Sequence, residues 1–367
     1  MKVIIVGAGI AGMAIGWRLA QAGAEVELYD RGVAGRGATW AAAGMIAPGA
    51  ELKDDSEELA AFARRSRAAW PGFAAELETE SGCGIGYSEP GSLMLALDDA
   101  RAQALAQHAS ELDAFGAAWL GPQAVTQREP LVSPEVRGAL YVPSDAQADN
   151  RLTAEALCIA LSRRNIAIHE NTEVRGLLIT DHRVRGIVCA KGTIAGDAVI
   201  VASGAWLNEF GAAPAELPPV APVKGQMVAV QAPGGTMLPK HLLWSDDAYM
   251  VARGGRVLIG ATVEDAGFDT SVSAEACARL LFAASRIVPA LRGWPVSEMW
   301  AGLRPRTPDG APVLGASGVD GLYVAGGQFR NGILFAPAVA DAMKQIVLTS
   351  QSSSELRSFD PRRFNAH

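Results

Sequence analysis

The sequence predicts an α/β protein in which a parallel sheet and a mainly antiparallel α+β unit share one interrupted chain. Three observations carry this. The chain opens on the apolar β-branched run "KVIIV", broken by glycines and followed by apolar residues at helical spacing. Runs of the same kind return far downstream in "DAVIVASGAW" (197–206) and "DGLYVAGG" (320–327). Between them lie strand-like segments joined by Gly-Gly and Pro-rich turns, the pattern of an antiparallel sheet.

The first run is the mark of a strand buried on both faces. It ends at Gly7, the residues Ile10 to Ala22 carry a helical pattern, and Gly23 supplies the stop. A second strand, "EVELYD", then closes on Asp30. Strand, glycine turn, helix, strand and terminal acid make a dinucleotide-binding, Rossmann-like unit. Gly7 permits the tight turn, Gly9 removes a side chain that would block a pyrophosphate, and Gly12 lets helix and sheet pack closely. The free N–H groups at the helix start then meet the phosphates, and Asp30 is placed to accept hydrogen bonds from the ribose hydroxyls.

The next segment, "GRGATWAAAGMIAP" (35–48), is a loop of small residues with Arg36 and Thr39, suited to close approach of backbone to a flat ring. A helix-like stretch (Asp54–Gly82), strand-like "GSLMLAL" and an alanine-rich amphipathic region to about Leu120 follow. Asp149 or Asn150 caps a helix with Leu152, Ala156, Leu157 and Ala160 on one face. "AIHENTEVRGLLI" reads as hairpin-like strands before the buried strand at 197–206 rejoins the first sheet. "PPVAPVKGQMVAV" through "AYMVARGGRVLIGAT" is the antiparallel floor of a substrate unit. The late "AGGQFRNGI" ends a strand and begins a helix near Gly332, and "TSQSSSELRSFDPRRF" is a polar tail expected on the surface. Glycine turns from three distant places suit FAD better than NAD, and no second GxGxxG supports a separate nicotinamide site. The expected division is residues 1–82, 145–217 and 301–367 for an FAD-binding domain, with 83–144 and 218–300 for a substrate-binding domain.

Composition excludes several classes. At 367 residues with 49% hydrophobic and 19% charged residues the chain is an ordinary globular one. A net charge of −7 gives no general attraction to nucleic acid or anionic lipid. Cys83, Cys158, Cys189 and Cys277 form no CxxC pair and read as reduced, buried packing residues of a cytoplasmic protein. The scattered His108, His169, His182, His241 and His367 offer neither metal-ligand spacing nor a triad order, so no metal is expected. The apolar start lacks the basic region of a signal sequence, and no run is long enough to span a bilayer.

The segments "VIIVGAGIAGMAIGWRLAQAG", "GATWAAAGMIAP", "VIVASGAW", "PVKGQM", "AYMVARGGRVLIGAT", "WAGLRPRTPDGAPVLG" and "GQFRNGILFAP" together resemble the D-amino acid oxidase superfamily, most closely its glycine oxidase branch. The resemblance implies noncovalent FAD and oxidative deamination of glycine or another small amine bearing a carboxylate, by hydride transfer to flavin. It also implies oxygen as the acceptor and hydrogen peroxide as a product. It places the carboxylate-binding arginine at Arg304, the active-site tyrosine at Tyr249 and a second pocket arginine at Arg330. Arg offers a planar fork that matches a carboxylate. Cofactor contacts fall on Arg36, Thr39, Ala42, Ala43, Gly44 and Met45, and on Val174, Gly204, Gly327, Asn331, Gly332 and Ile333. Val263 stands where the branch has methionine, a departure that bears on side-chain specificity. Supply of an imine for the thiazole of thiamine and a homo-oligomer, often a tetramer, are further implications. A flavin dehydrogenase passing electrons to a quinone, and a noncatalytic dinucleotide-binding protein, are the competing readings.

Overall fold

In the computed structural model, which describes residues 1–51, 56–210 and 217–364, the opening run forms the strand Lys2–Val6 inside a six-stranded sheet. It lies parallel to Glu25–Tyr29 on one side and Ala198–Val201 on the other. Val3 to Val6 and Ala198 to Val201 are all buried, as strands covered on both faces must be. Leu322–Gly326 extends the parallel order beyond Ala198–Val201, Ala167–His169 closes the far edge, and Val313–Ala316 runs antiparallel at the near edge. The helix Ile10–Gln21 covers one face together with Asn150–Arg163 and Ala336–Thr349, and Met13, Ile15, Trp17, Leu157 and Val339 lie in one core.

The second sheet has eight strands, in the order Val296–Arg306, Ala221–Gln231, Arg256–Gly260, Tyr249–Arg253, Leu242–Trp244, Ser92–Ala96, Gly138–Val142 and Ala118–Leu120. All its pairs are antiparallel except Leu242–Trp244 with Ser92–Ala96. The Gly254-Gly255 turn closes the hairpin expected from the sequence. The long strand Val296–Arg306 runs through the 300/301 boundary drawn above, so this edge strand is common to both proposed units.

Several expectations are corrected. "AIHENTEVRGLLI" is not one hairpin: Ala167–His169 joins the six-stranded sheet, and Val174–Thr180 pairs instead with Arg183–Cys189 in a separate three-stranded sheet. Asp149, rather than Asn150, is the cap, accepting from the N–H groups of Arg151 and Leu152. Leu152 faces outward and is 42% exposed, while Ala156, Leu157 and Ala160 are buried. The late helix begins at Ala336, after a run of turns across 332–335, because Pro337 sits comfortably only in a first helical turn. Cys83 and Cys158 are only half-buried. The expected helix start at Asp54 falls outside the described residues; the described helix is Glu57–Ser81, capped by Ser56.

The polar tail is the largest correction. Leu356 and Phe359 are buried, Phe359 packs its ring 5.3 Å from that of Phe62, and Arg363 donates to Asp309 at 2.8 Å. Two apolar residues spaced three apart in a polar stretch are enough to bury one side of short 3-10 turns.

Asp145 is wholly buried; one oxygen accepts the Gly49 N–H at 3.1 Å and the other finds no hydrogen-bond partner among the described residues. Burial pushes its pKa up to about 7. An unfolded aspartate holds its proton only below about pH 4, so the native state binds the extra proton between roughly pH 4 and 7 and loses stability as pH rises across that window. Asp145→Asn is expected to raise the melting temperature at pH 8, by the equivalent of about 1–3 kcal/mol, and to change it little at pH 4. Phe359→Ala is expected to cost about 3–5 kcal/mol in denaturant titration, the cost of an emptied aromatic site; a surface tail would cost almost nothing.

Candidate active site

The glycines of the first turn set the geometry of the site. Gly7 adopts φ +108, and a Cβ there would lie 2.7 Å from the Ala202 carbonyl carbon. On Gly12 a Cβ would collide with the Gly7 carbonyl, so the helix start rests directly on the strand end. Gly9 is the N-cap of Ile10–Gln21 and brings no side chain to cap it. Instead the Thr39 hydroxyl reaches across to accept the Ile10 N–H at 2.9 Å.

This helix end opens on a cavity of about 430 Å³ that runs between the two sheets. Near the helix it is lined by Gly7, Gly9 and Asp30, along its middle by Ala42, Ala43, Gly44 and Met45, and at its other end by Tyr249, Arg304 and Arg330. Arg36, Thr39, Val174, Gly204, Gly332 and Ile333 also reach it. Three expected contacts sit behind the wall. Gly12 is the helix-to-strand packing point, and Gly327, at φ +67, would press a Cβ 2.6 Å from Thr307 Cγ2. Asn331 closes the turn that leads into Ala336–Thr349, its carbonyl accepting the Phe335 N–H at 2.8 Å. Val263 is 60% exposed and does not line the cavity.

Asp30 is engaged on both oxygens by backbone, taking the Ala8 N–H at 2.7 Å and the Gly32 N–H at 2.8 Å. It holds the turn as well as edging the cavity. Arg36 lies with its guanidinium 5.8 Å from the Trp40 ring.

At the far end Arg304 comes from the strand Val296–Arg306, directly opposite Val223. Its Nη1 donates to the carbonyls of Thr262 at 3.0 Å and Lys224 at 3.4 Å, and no carboxylate among the described residues pairs with it. A Cβ on Gly225 would collide with that guanidinium, so this glycine makes the space it occupies. The Tyr249 hydroxyl donates to Met227 Sδ at 3.1 Å. Burial raises the Tyr249 pKa against the opposing influence of Arg304, which keeps the phenol a donor at neutral pH. Arg330 donates to the Glu51 carbonyl at 3.1 Å and is exposed at the cavity mouth.

Residues not anticipated complete the lining, among them Glu51, Ser203, Met227 and Gln328. Strand alternation from Val223 would have found Gly225 and Met227, which share its face. Ser203 Oγ and Gln328 Nε2 are buried at the wall without hydrogen-bond partners among the described residues. Unpaired polar atoms, a helix start whose Gly9 brings no side chain, and a wall of alanines and glycine fit an elongated dinucleotide with a flat ring, and so fit FAD.

Comparison decides the family. Residues 2–346 match the DAO family, described as FAD dependent oxidoreductase. The chain belongs to this family. Its relatives include the glycine oxidase of Geobacillus kaustophilus (strain HTA426), 35% identical over 98% of this chain and 96% of that protein. The crystal structure of glycine oxidase from Geobacillus kaustophilus superposes with a TM-score of 0.93 at 34% identity, covering 100% of this chain and 99% of that one. The bifunctional protein ThiO/ThiG of Trichormus variabilis (strain ATCC 29413 / PCC 7937) is 34% identical over 99% of this chain, but the chain spans only 55% of that relative's length. FAD is therefore the cofactor of this DAO-family oxidoreductase. Among the described residues no helix is long and apolar enough to cross a membrane.

Gly225→Ala is expected to displace Arg304 while leaving FAD bound. Affinity for a small carboxylate such as acetate, followed by the change in flavin absorbance, should fall about tenfold or more, as loss of a charge-assisted hydrogen bond predicts. Unaltered acetate affinity would show that Gly225 does not set the position of Arg304.

Proposed function

We propose that this chain catalyses the FAD-dependent oxidative deamination of glycine or another small amine bearing a carboxylate. One observation carries the proposal: the Arg304 guanidinium, held by two backbone carbonyls and no carboxylate among the described residues, lies in the same cavity as the nucleotide cradle. Likeness to the glycine oxidase of Geobacillus kaustophilus supports it.

When bound, FAD supplies the two-electron acceptor for the substrate's α-carbon–hydrogen bond. Arg304 binds the substrate carboxylate as a fork, the Tyr249 hydroxyl turns from Met227 to add a further contact, and Arg330 adds positive charge at the mouth. Fixing the carboxylate fixes the α-carbon one bond away, and orientation of this kind accounts for roughly 7–11 kcal/mol of a barrier in favourable cases. No residue is asked to remove a proton from carbon. The cofactor contacts proposed are those on Gly7, Gly9, Asp30, Arg36, Thr39, Ala42 to Met45, Val174, Gly204, Gly332 and Ile333, with Gly12, Gly327 and Asn331 supporting them from behind.

Several finer assignments belong to the same proposal. They are oxygen as acceptor, cytoplasmic location, a homo-oligomer such as a tetramer, and delivery of the imine to thiazole formation, the last supported by likeness to the ThiO/ThiG proteins. The two-domain division is proposed with the shared strand Val296–Arg306 as its seam.

Anaerobic glycine is expected to bleach the flavin absorbance of the purified holoenzyme, and air to restore it with release of peroxide. Flavin that no small amine or amino acid bleaches would sink the proposal, whereas bleaching with dye reduction but no peroxide would favour a dehydrogenase. In Arg304→Ala the KM should rise at least tenfold with flavin still bound, since ~1.5–3 kcal/mol of charged hydrogen bonding is lost.

A further inference from the structure

The wall from Thr39 to Met45 has a mechanical problem. Thr39 and Ala41 to Met45 line the cavity, yet alanine and glycine side chains have almost nothing with which to hold position. Thr39 is tied through its hydroxyl to the Ile10 N–H and Trp40 packs against Trp300; the remaining fixing comes from behind, through the wall's own carbonyls. Asn150 Nδ2 donates to the carbonyls of Thr39 at 2.6 Å and Trp40 at 3.0 Å, Trp300 Nε1 donates to Ala41 at 2.9 Å, and the Ala148 N–H donates to Gly44 at 2.9 Å.

Asn150 is itself buried, 1% exposed, and its amide is oriented by a second residue. Arg253 Nη1 donates to Asn150 Oδ1 at 2.9 Å, reaches the Ala148 carbonyl at 3.4 Å and pairs with Asp149 at 3.4 Å. With its acceptor taken by Arg253, the Asn150 amide can present only N–H groups to the wall. The guanidinium also lies directly behind Gly44, where a Cβ would come within 2.9 Å of Nη2. Burial pushes the Arg253 pKa down to about 10, with Asp149 opposing, so the charge persists at neutral pH.

Arg253 ends the same strand that Tyr249 begins, whereas Asn150 opens a helix on the six-stranded sheet. We infer that Arg253 and Asn150 form a positioning unit that locks the Thr39–Met45 wall in its FAD-binding geometry and ties it to the strand carrying Tyr249. The inference rests on FAD occupying this cavity.

The test compares wild type, Arg253→Met, Asn150→Asp and the double variant, each stripped of FAD and titrated back by quenching of flavin fluorescence. Melting of each apoprotein reads general stability separately. Each single variant is expected to raise the FAD Kd about tenfold or more, equivalent to ~1.4 kcal/mol. The double variant should be no weaker than the weaker single one, since both break one unit. An FAD Kd within about twofold of wild type in either single variant, or fully multiplicative effects in the double variant, would overturn the inference. Should Arg253→Met not fold, Arg253→Lys keeps the charge without the fork and is held to the same two outcomes. Wild-type apoprotein that fails to take up FAD would instead sink the assignment of the cavity.

Discussion

From Ala41 to Gly44 the cavity wall is alanine and glycine, whose side chains can grip nothing, so the segment has to be held by its carbonyls. This constraint organises the molecule. The Thr39–Met45 segment is pinned by donors from a helix on one sheet, from Trp300 on the edge strand of the other, and from the backbone at Ala148. Each such bond contributes only about 0.5–1.5 kcal/mol net, but an unpaired buried carbonyl would cost more. The segment is thus one of the places where the two sheets are joined, beside the Arg151–Glu298 ion pair.

The opposite end of the cavity follows a complementary logic. Arg304 is half-buried and, among the described residues, its guanidinium donates to two backbone carbonyls and pairs with no carboxylate. A desolvated cation without its partner is costly. A small carboxylate would remove that cost on binding, and so would be selected over neutral amines of the same size. Met227 and Gly260, paired in register, and Gly225 shape the space around Arg304 and Tyr249.

Much of this was legible in the sequence because it rests on local patterns. Val3 to Val6 and Ala198 to Val201 are apolar without interruption because both faces are covered, and the Gly254-Gly255 hairpin is announced by its turn. The glycine turn at the start of Ile10–Gln21 is equally legible, since Gly7 and Gly12 answer steric demands that are visible in the local pattern. The tail defeats a local reading because Leu356 and Phe359 are isolated apolar residues and the ring that Phe359 packs against, Phe62, is remote in the chain. Ala167–His169 was misassigned because an edge strand of a parallel sheet has only one neighbour to impose a pattern on it. Arg253 and Asn150 were invisible as a pair: a buried charge and an amide acquire meaning only from carbonyls a hundred residues away.

The strand order has a consequence for how the chain folds. Lys2–Val6 pairs with Ala198–Val201, that strand pairs with Leu322–Gly326, and Phe359 packs on Phe62, so neighbours in space lie far apart in the chain. Contacts this remote give a high contact order and slow, late closure. Until those distant strands dock, the edge of Lys2–Val6 stands open to pairing with other chains.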